Sequence, residues 1–505
     1  MKTFALVSAA FNATQSMTRI IIMSSPYARL HANHQRRLEA RPASLSRMMT
    51  LAKPMLSAAV IMAFSFDAWA QQSEVSARLD DNQKAPRYTQ GKPIFSDLGS
   101  GLEAAGITPH LSLWSLWVGN PSTGPRQGSH AVTNNIFAGA DFDLQKMLNI
   151  PDATFHLEYT FFPANHNVGQ PTPPAYAGAA GSYFGGSPAR NDISSGYLSE
   201  FSYEQNYFGG RLKAVLGRTN ARRYFFENNC SSVVACNDPI WDFATGSLPP
   251  PYASWGAFGQ LQLGNHKSLK LGVFESDPQQ YLDKGHGFDW NPSDSAGESI
   301  LAAIGHETTF SDEAYPGRYE LIGFYNTSDQ YDPRSGERDG RGTAGAMFKF
   351  RQAFWRPDGG RGGSEDPQAL LVFGSLEAAP GDNQPYQAFI ETGLTYLKPF
   401  DRAADMANIK ASYARLGSRQ IEAQREARVA NGGTAERGSR DVFRLETNYH
   451  LGLPAYMFLE PSVQYIINPS NFFNPAAPRL NDDGVVVALQ FGIDLGKAMG
   501  LSAAD

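Results

Sequence analysis

The sequence predicts an all-β fold, a transmembrane antiparallel β-barrel of about 16 strands with long extracellular loops. Three observations predict it. Apolar and polar residues alternate with period two in segment after segment, most of them about ten residues long. Short turns alternate with long connections rich in Gly, Pro and charge. An export signal stands ahead of the first alternating segment.

The signal is the apolar run of twelve from Met55 to Phe66 (MLSAAVIMAFSF), preceded by Arg41, Arg47 and Lys53 and followed by Ala68-Trp69-Ala70. The run is too short to span a bilayer. Its basic flank and small-x-small site read as a secretory signal cleaved after Ala70. Such signals stand at the start of a chain, so translation is expected near Met48 or Met49, with residues 1–47 an over-extended start. Residues 71–95 are polar and aperiodic, a flexible periplasmic lead-in, and 96–505 form the barrel with no second domain. Residues 1–70 hold eight of the 43 Lys+Arg and two of the 49 Asp+Glu, which leaves the exported chain a net charge of −12. A nucleic-acid partner would call for the opposite sign.

Strands are expected near 110–118, 134–144, 153–162, 196–205, 210–220, 252–263, 267–275, 299–310, 316–326, 342–354, 367–377, 386–397, 406–415, 442–451, 455–466 and 484–495. Parity assigns faces in the clearest of them. Phe155, Leu157, Tyr159 and Phe161 oppose His156, Glu158 and Thr160; Phe443, Leu445 and Tyr449 oppose Arg444, Glu446, Asn448 and His450. The polar face carries Arg beside Glu, His and Gln, groups that satisfy one another, rather than the Lys/Thr/Ser mixture of a solvated sheet. That favours an apolar face toward lipid and a polar face toward a lumen. Long loops are expected at 163–195, 221–251, 276–298, 327–341, 355–366 and 416–440; 355–366 falls where a short turn is due.

No motif points to catalysis, a metal or a cofactor. Gly340–Gly345 (GRGTAG) matches G-x-G-x-x-G but leads into a strand, so no helix N-terminus is there for a pyrophosphate and a turn is the better reading. Gly305-His306-Glu307-Thr308-Thr309 lacks the second histidine of a zinc-protease motif, and no G-x-S-x-G or nucleophile–base pair occurs. Cys230 and Cys236 are separated by five residues, without further ligands for zinc. In an oxidising compartment they read as an intraloop disulfide, with two free thiols as the alternative.

Pore-facing candidates by parity are His156, Glu158, Arg211, Lys213, Arg318, Glu320, Lys349, Arg351, Arg444, Glu446, Glu460 and Gln464. Parity from Leu212, Ala214 and Leu216 puts Arg218 and Arg222 on the lipid side. Either the strand leaves the hydrocarbon at Gly217, or a bulge there turns Arg218 inward.

The segments "FSDLGSGLEAAGITPHLSLWSLWVGN", "GADFDLQKMLNIPDATFHLEY", "LSEFSYEQNYFGGRLKAVLGRTNARRYF", "YPGRYELIGFYNTS", "FRQAFWRP" and "LETNYHLGLPAYMFLEPSVQYIINP" together resemble the carbohydrate-selective porin (OprB-type) family. The likeness runs from about Phe95 to Leu495. It implies a sixteen-stranded outer-membrane barrel of a Gram-negative bacterium that passes small sugars, glucose above all, down their gradient into the periplasm. It also implies a constriction rich in arginine, which maps onto Arg211 and Arg218 of "GGRLKAVLGR" and onto Arg222. The partners implied are sugars as solutes and outer-membrane lipid, and a homo-oligomer is compatible with such a barrel. A general diffusion porin and a secreted glycan-binding β-protein are the alternative readings. One departure is the tail "GKAMGLSAAD", which continues past the final strand where such barrels commonly end on an aromatic.

Overall fold

The computed structural model describes residues 92–163, 173–186, 196–226, 238–276, 286–288, 290, 295–363 and 366–502. The signal region, most of the lead-in, Cys230 and Cys236 lie outside the described residues. Sixteen antiparallel strands form one closed barrel in sequence order. They are β1 (Ile107–Asn120), β2 (Ser129–Asp143), β3 (Ala153–Phe161), β4 (Tyr197–Tyr207), β5 (Leu212–Thr219), β6 (Ser254–Gly264), β7 (Lys267–Ser276) and β8 (Gly297–Glu307). They continue with β9 (Gly317–Tyr331), β10 (Arg338–Trp355), β11 (Ala369–Ala378), β12 (Tyr386–Leu397), β13 (Met406–Leu416), β14 (Asp441–Leu453), β15 (Met457–Ile467) and β16 (Gly484–Asp494). β16 pairs with β1 from Ser112↔Asp494 to Gly119↔Val487, so no edge strand is left open.

The faces follow the alternation. Leu321, Leu445 and Ile409 are exposed on the outside, while Glu320, Glu446 and Lys410, each one residue away, are buried inside. An outer wall of leucine and isoleucine around an ionic interior has its free-energy minimum in a bilayer. Among the described residues no helix is long and apolar enough to cross a membrane.

Two elements depart from the sequence reading. The expected 327–341 loop is mostly strand, because β9 and β10 extend beyond the wall and leave only 332–337 as a connection. The glycine-rich Gly340–Gly345 therefore sits inside β10 rather than in a turn. Gly340 and Gly342 take positive φ (103° and 81°) where the ladder shifts register. The 356–368 connection does lie at the short-turn end, and it is braced: Arg356 lies over Phe310 at 5.6 Å, and its Nε donates to Asp358 at 3.0 Å.

Short helices close the ends and narrow the middle. They are α1 (Ser96–Ala104), α2 (Leu144–Leu148), α3 (Pro173–Ala180), α4 (Tyr183–Gly186), α5 (Pro239–Ala244), α6 (Ser418–Ala430) and α7 (Leu495–Met499). The C-terminal tail forms α7 and docks on α1, with Phe95 N donating to Met499 O at 2.9 Å. A Cβ at Gly99 would lie 2.2 Å from Gly500 O, so only glycine permits this contact. Helices α3, α4 and α5 belong to loops 162–196 and 220–253 and fold into the lumen. There Tyr176, Tyr183, Phe184, Ile240 and Trp241 share one apolar cluster with Leu116, Val118, Ala131, Ile466 and Val486 of the inner wall.

Candidate solute path

Register sends His110, Asp141, His156, Glu158, Glu200, Glu204 and Lys213 of β1–β5 to the lumenal face. Asp141 lies between two imidazoles, 2.8 Å from His110 Nε2 and 2.6 Å from His156 Nδ1. Lys213 Nζ is 2.8 Å from Glu204 Oε1. Beyond β5, the Asn220 side chain accepts from Arg222 N at 2.9 Å and caps a 3₁₀ turn over Ala221–Arg223. The turn swings Arg223 back along the wall. Its Nη2 sits 2.9 Å from Glu158 Oε1 and its Nε 3.0 Å from Glu200 Oε2. Burial would lower the pKa of this guanidinium, but the Glu200 and Glu158 carboxylates outweigh it and raise the pKa, so Arg223 stays charged.

Loop 220–253 is strapped across the lumen to the far wall. Asp238 caps α5, accepting from Ile240 N at 3.0 Å and Trp241 N at 2.9 Å. Its other oxygen accepts from Lys349 Nζ of β10 at 2.8 Å, and Lys349 also reaches Glu377 at 3.3 Å. Burial raises the Asp238 pKa, but Lys349, the Glu377 hydrogen bond and Arg222 outweigh it and hold it at about 2. Phe226 N donates to Glu320 at 2.7 Å, and Glu320 pairs with Lys270 at 2.6 Å. Tyr183 of α4 donates to Asp242 of α5 at 2.7 Å, which joins the two inward loops.

The residues expected at the path separate into groups. Glu158 joins the Arg223 cluster on the β1–β5 wall, and Lys213 pairs lower on the same wall. Glu320 and Lys349 anchor loop 220–253, and the Arg318 guanidinium carbon lies 4.2 Å from the Phe226 ring centroid of that loop. Arg351 stands level with Arg318 on β10. Arg444 and Glu446 belong to a fully buried network on β12–β15 with Glu391 and Lys410. Arg211 lies in the β4–β5 turn, where its carbonyl accepts from Gln262 N. Arg222 pairs with Asp242 and lies over the Trp241 ring at 5.5 Å.

Arg218 is elsewhere. Gly217 has φ +144°, yet both ladders run through it without a register shift, so the re-phasing bulge expected as one alternative is not there. Arg218 thus aligns with Phe201 and Trp255 on the outer-parity face. Both rings pack against Trp290, at 5.1 and 5.4 Å, and Arg218 is 0% exposed, donating to the Tyr197 hydroxyl at 2.6 Å. Trp290 packs on these rings from the outer-parity side, and the cation that lipid would reject is sealed.

Parity within strands missed Arg223, because the 3₁₀ turn resets direction. It named neither Glu200 nor Asp141, which bulge-free alternation along β2 and a plain reading of 196–205 could have found. Solvent access separates the two walls. Arg223, Glu158, His156 and Asp141 side chains keep 19–38% exposure, whereas Glu391, Lys410, Arg444 and Glu446 keep at most 4%.

The fold is shared with a solved structure. The high-pH structure of Pseudomonas putida OprB aligns with a TM-score of 0.66 at 19% identity, covering 80% of this chain and 99% of that one. The low-pH structure of the same protein gives 0.47 at 16% identity, over 80% and 99%. No curated protein sequence matches the chain. The family described as carbohydrate-selective porin, OprB family, matches residues 128–495, a span that takes in β2 through β16. With more than two thirds of its length matched and the barrel closed as above, the chain belongs to the carbohydrate-selective porin, OprB family.

Proposed function

We propose that the chain conducts small neutral sugars such as glucose passively across the outer membrane along the β1–β5 wall, with Arg223 as the hydroxyl-binding residue of the path. One observation carries this reading: Arg223 is held between two carboxylates yet remains accessible from the lumen. Two of the five N–H donors of the guanidinium engage Glu200 and Glu158, which fix its plane. Sugar hydroxyls can then accept from the remaining donors and donate to the same carboxylates. A neutral solute gains such hydrogen bonds without electrostatic repulsion, because it carries no net charge. Weak, repeated exchange of this kind suits diffusion, in which binding must not outlast transit.

The exported barrel in a planar bilayer tests the reading. Glucose at millimolar concentration is expected to reduce ion conductance in a saturable way. Conductance indifferent to sugars would leave a general diffusion pore and remove the specificity.

A further inference from the structure

Two histidines share one carboxylate at the short-turn end of the β1–β5 wall. Asp141 of β2 sits between His110 of β1 and His156 of β3, at 2.8 and 2.6 Å. The three side chains keep 26–44% exposure on the lumenal face, so water and ions reach them. An ionised carboxylate only accepts hydrogen bonds, so His110 Nε2 and His156 Nδ1 carry the hydrogens that face it. The second nitrogen of each ring is then the one that gains or loses a proton. On His156 that nitrogen, Nε2, lies 3.9 Å from Glu204 Oε2, so this imidazole stands between two carboxylates.

The charged groups around the pair are mostly acidic. Strand β2 adds Asp143, which Lys146 of α2 approaches at 3.8 Å. Strand β3 adds Glu158, and β4 adds Glu200 and Glu204. On the other side of β1, β16 sets Asp494 level with Ser112, two residues along the lumenal face from His110. Of the helices packed on β1, α7 carries Lys497, whose backbone N–H donates to Asp494, and α1 carries the exposed Asp97 and Glu103. The cations on the wall itself already serve carboxylates. Lys213 lies 2.8 Å from Glu204, and Arg223 bridges Glu158 and Glu200. One guanidinium for two carboxylates, with Asp141 beside them, leaves this wall negative while both imidazoles are neutral.

We propose that His110 and His156 set the ion selectivity of the lumen and make it depend on pH. With neutral imidazoles the surplus carboxylates draw small cations into this mouth and hold anions back. As pH falls from about 8 to about 5, each imidazole takes one proton from the solvent, and the two new charges offset the surplus. Anions then enter more readily. A neutral solute feels no such change, so ion traffic is adjusted separately from sugar traffic, with or without the hydroxyl-binding role of Arg223.

The test is the reversal potential of the exported barrel in planar bilayers under a gradient of dilute KCl, read at pH 8 and pH 5. The wild-type permeability ratio of K⁺ to Cl⁻ is expected to fall about fivefold, the effect of two unit charges acting at about 8 Å through dilute salt water. The double variant His110→Gln with His156→Gln, which keeps amide donors for Asp141, is expected to hold its pH 8 ratio at both pH values. Each single variant is expected to retain about a twofold change. In symmetric 1 M KCl, where the screening length is about 3 Å, wild-type conductance is expected to stay level over the same range. A wild-type ratio that does not move between pH 8 and pH 5 overturns the proposal. So does a heat-modifiable double variant that keeps the fivefold change, which would place the titrating group elsewhere. If the double variant does not assemble, a full fivefold change in both single variants overturns it equally.

Discussion

Arg218→Ala separates an arginine that holds the wall from one that meets solute. The Arg218 guanidinium is sealed from solvent, donates to Tyr197 Oη at 2.6 Å and sits 5.5 Å from the Tyr197 ring centroid. Losing a charge-assisted hydrogen bond costs about 1.5–3 kcal/mol. The lost cation–π contact adds about 1 kcal/mol, and relief of the buried charge offsets part of the total. Tyr197 keeps its own donation to Ala253 O at 3.1 Å, so its hydroxyl is not stranded. The net expectation is about 2 kcal/mol of lost stability in urea unfolding from lipid vesicles, with a coupling of about 1–3 kcal/mol in a double-mutant cycle with Tyr197→Phe. Glucose block of the conductance should be unchanged. A variant of wild-type stability whose sugar block is altered would refute the placement of Arg218 behind the wall.

Two further outcomes follow from the strapped loop. Lys349→Met leaves the Asp238 and Glu377 carboxylates facing one another without their cation, a loss of about 3–5 kcal/mol for a buried pair. Loop 220–253 should then leave the wall and single-channel conductance should rise; wild-type conductance in this variant would show that the loop is held by other contacts. The same latch sets a pH dependence. The Asp238 pKa is depressed from 3.8 to about 2, so its contribution to docking is full above about pH 4 and is lost as pH falls toward 2. Conductance should be flat from neutral pH to about 4 and rise below it. A rise centred near pH 6 would assign the latch to another group.

The strands were readable because each has one face in lipid and one in the lumen, which forces period two. Phe443 to His450 shows it at every position but Thr447, and β14 follows. Where the wall rises above the bilayer both faces meet water and the pattern vanishes. That is why Arg338 to Thr343 of β10 read as loop although the ladder continues there. The site was less readable for two physical reasons. Its contacts join residues remote in sequence, as Lys349 with Asp238 and Phe226 with Glu320 do, and alternation carries no information about them. Parity also ends where a strand ends. Arg218 stands on the last turn of β5 and faces outward, while five residues later a 3₁₀ turn brings Arg223 inside. Three arginines within one short stretch thus have three different environments, and only the capped turn at Asn220 distinguishes them.

The central claim is that sugar meets Arg223. The most direct test is glucose titration of single-channel conductance for Arg223→Gln beside the wild type. The substitution keeps a hydrogen-bonding side chain but removes the fork between Glu158 and Glu200. The account predicts a saturable block in the wild type and a half-blocking concentration raised about tenfold in the variant, with the barrel still heat-modifiable. A block of equal strength in both proteins would contradict it.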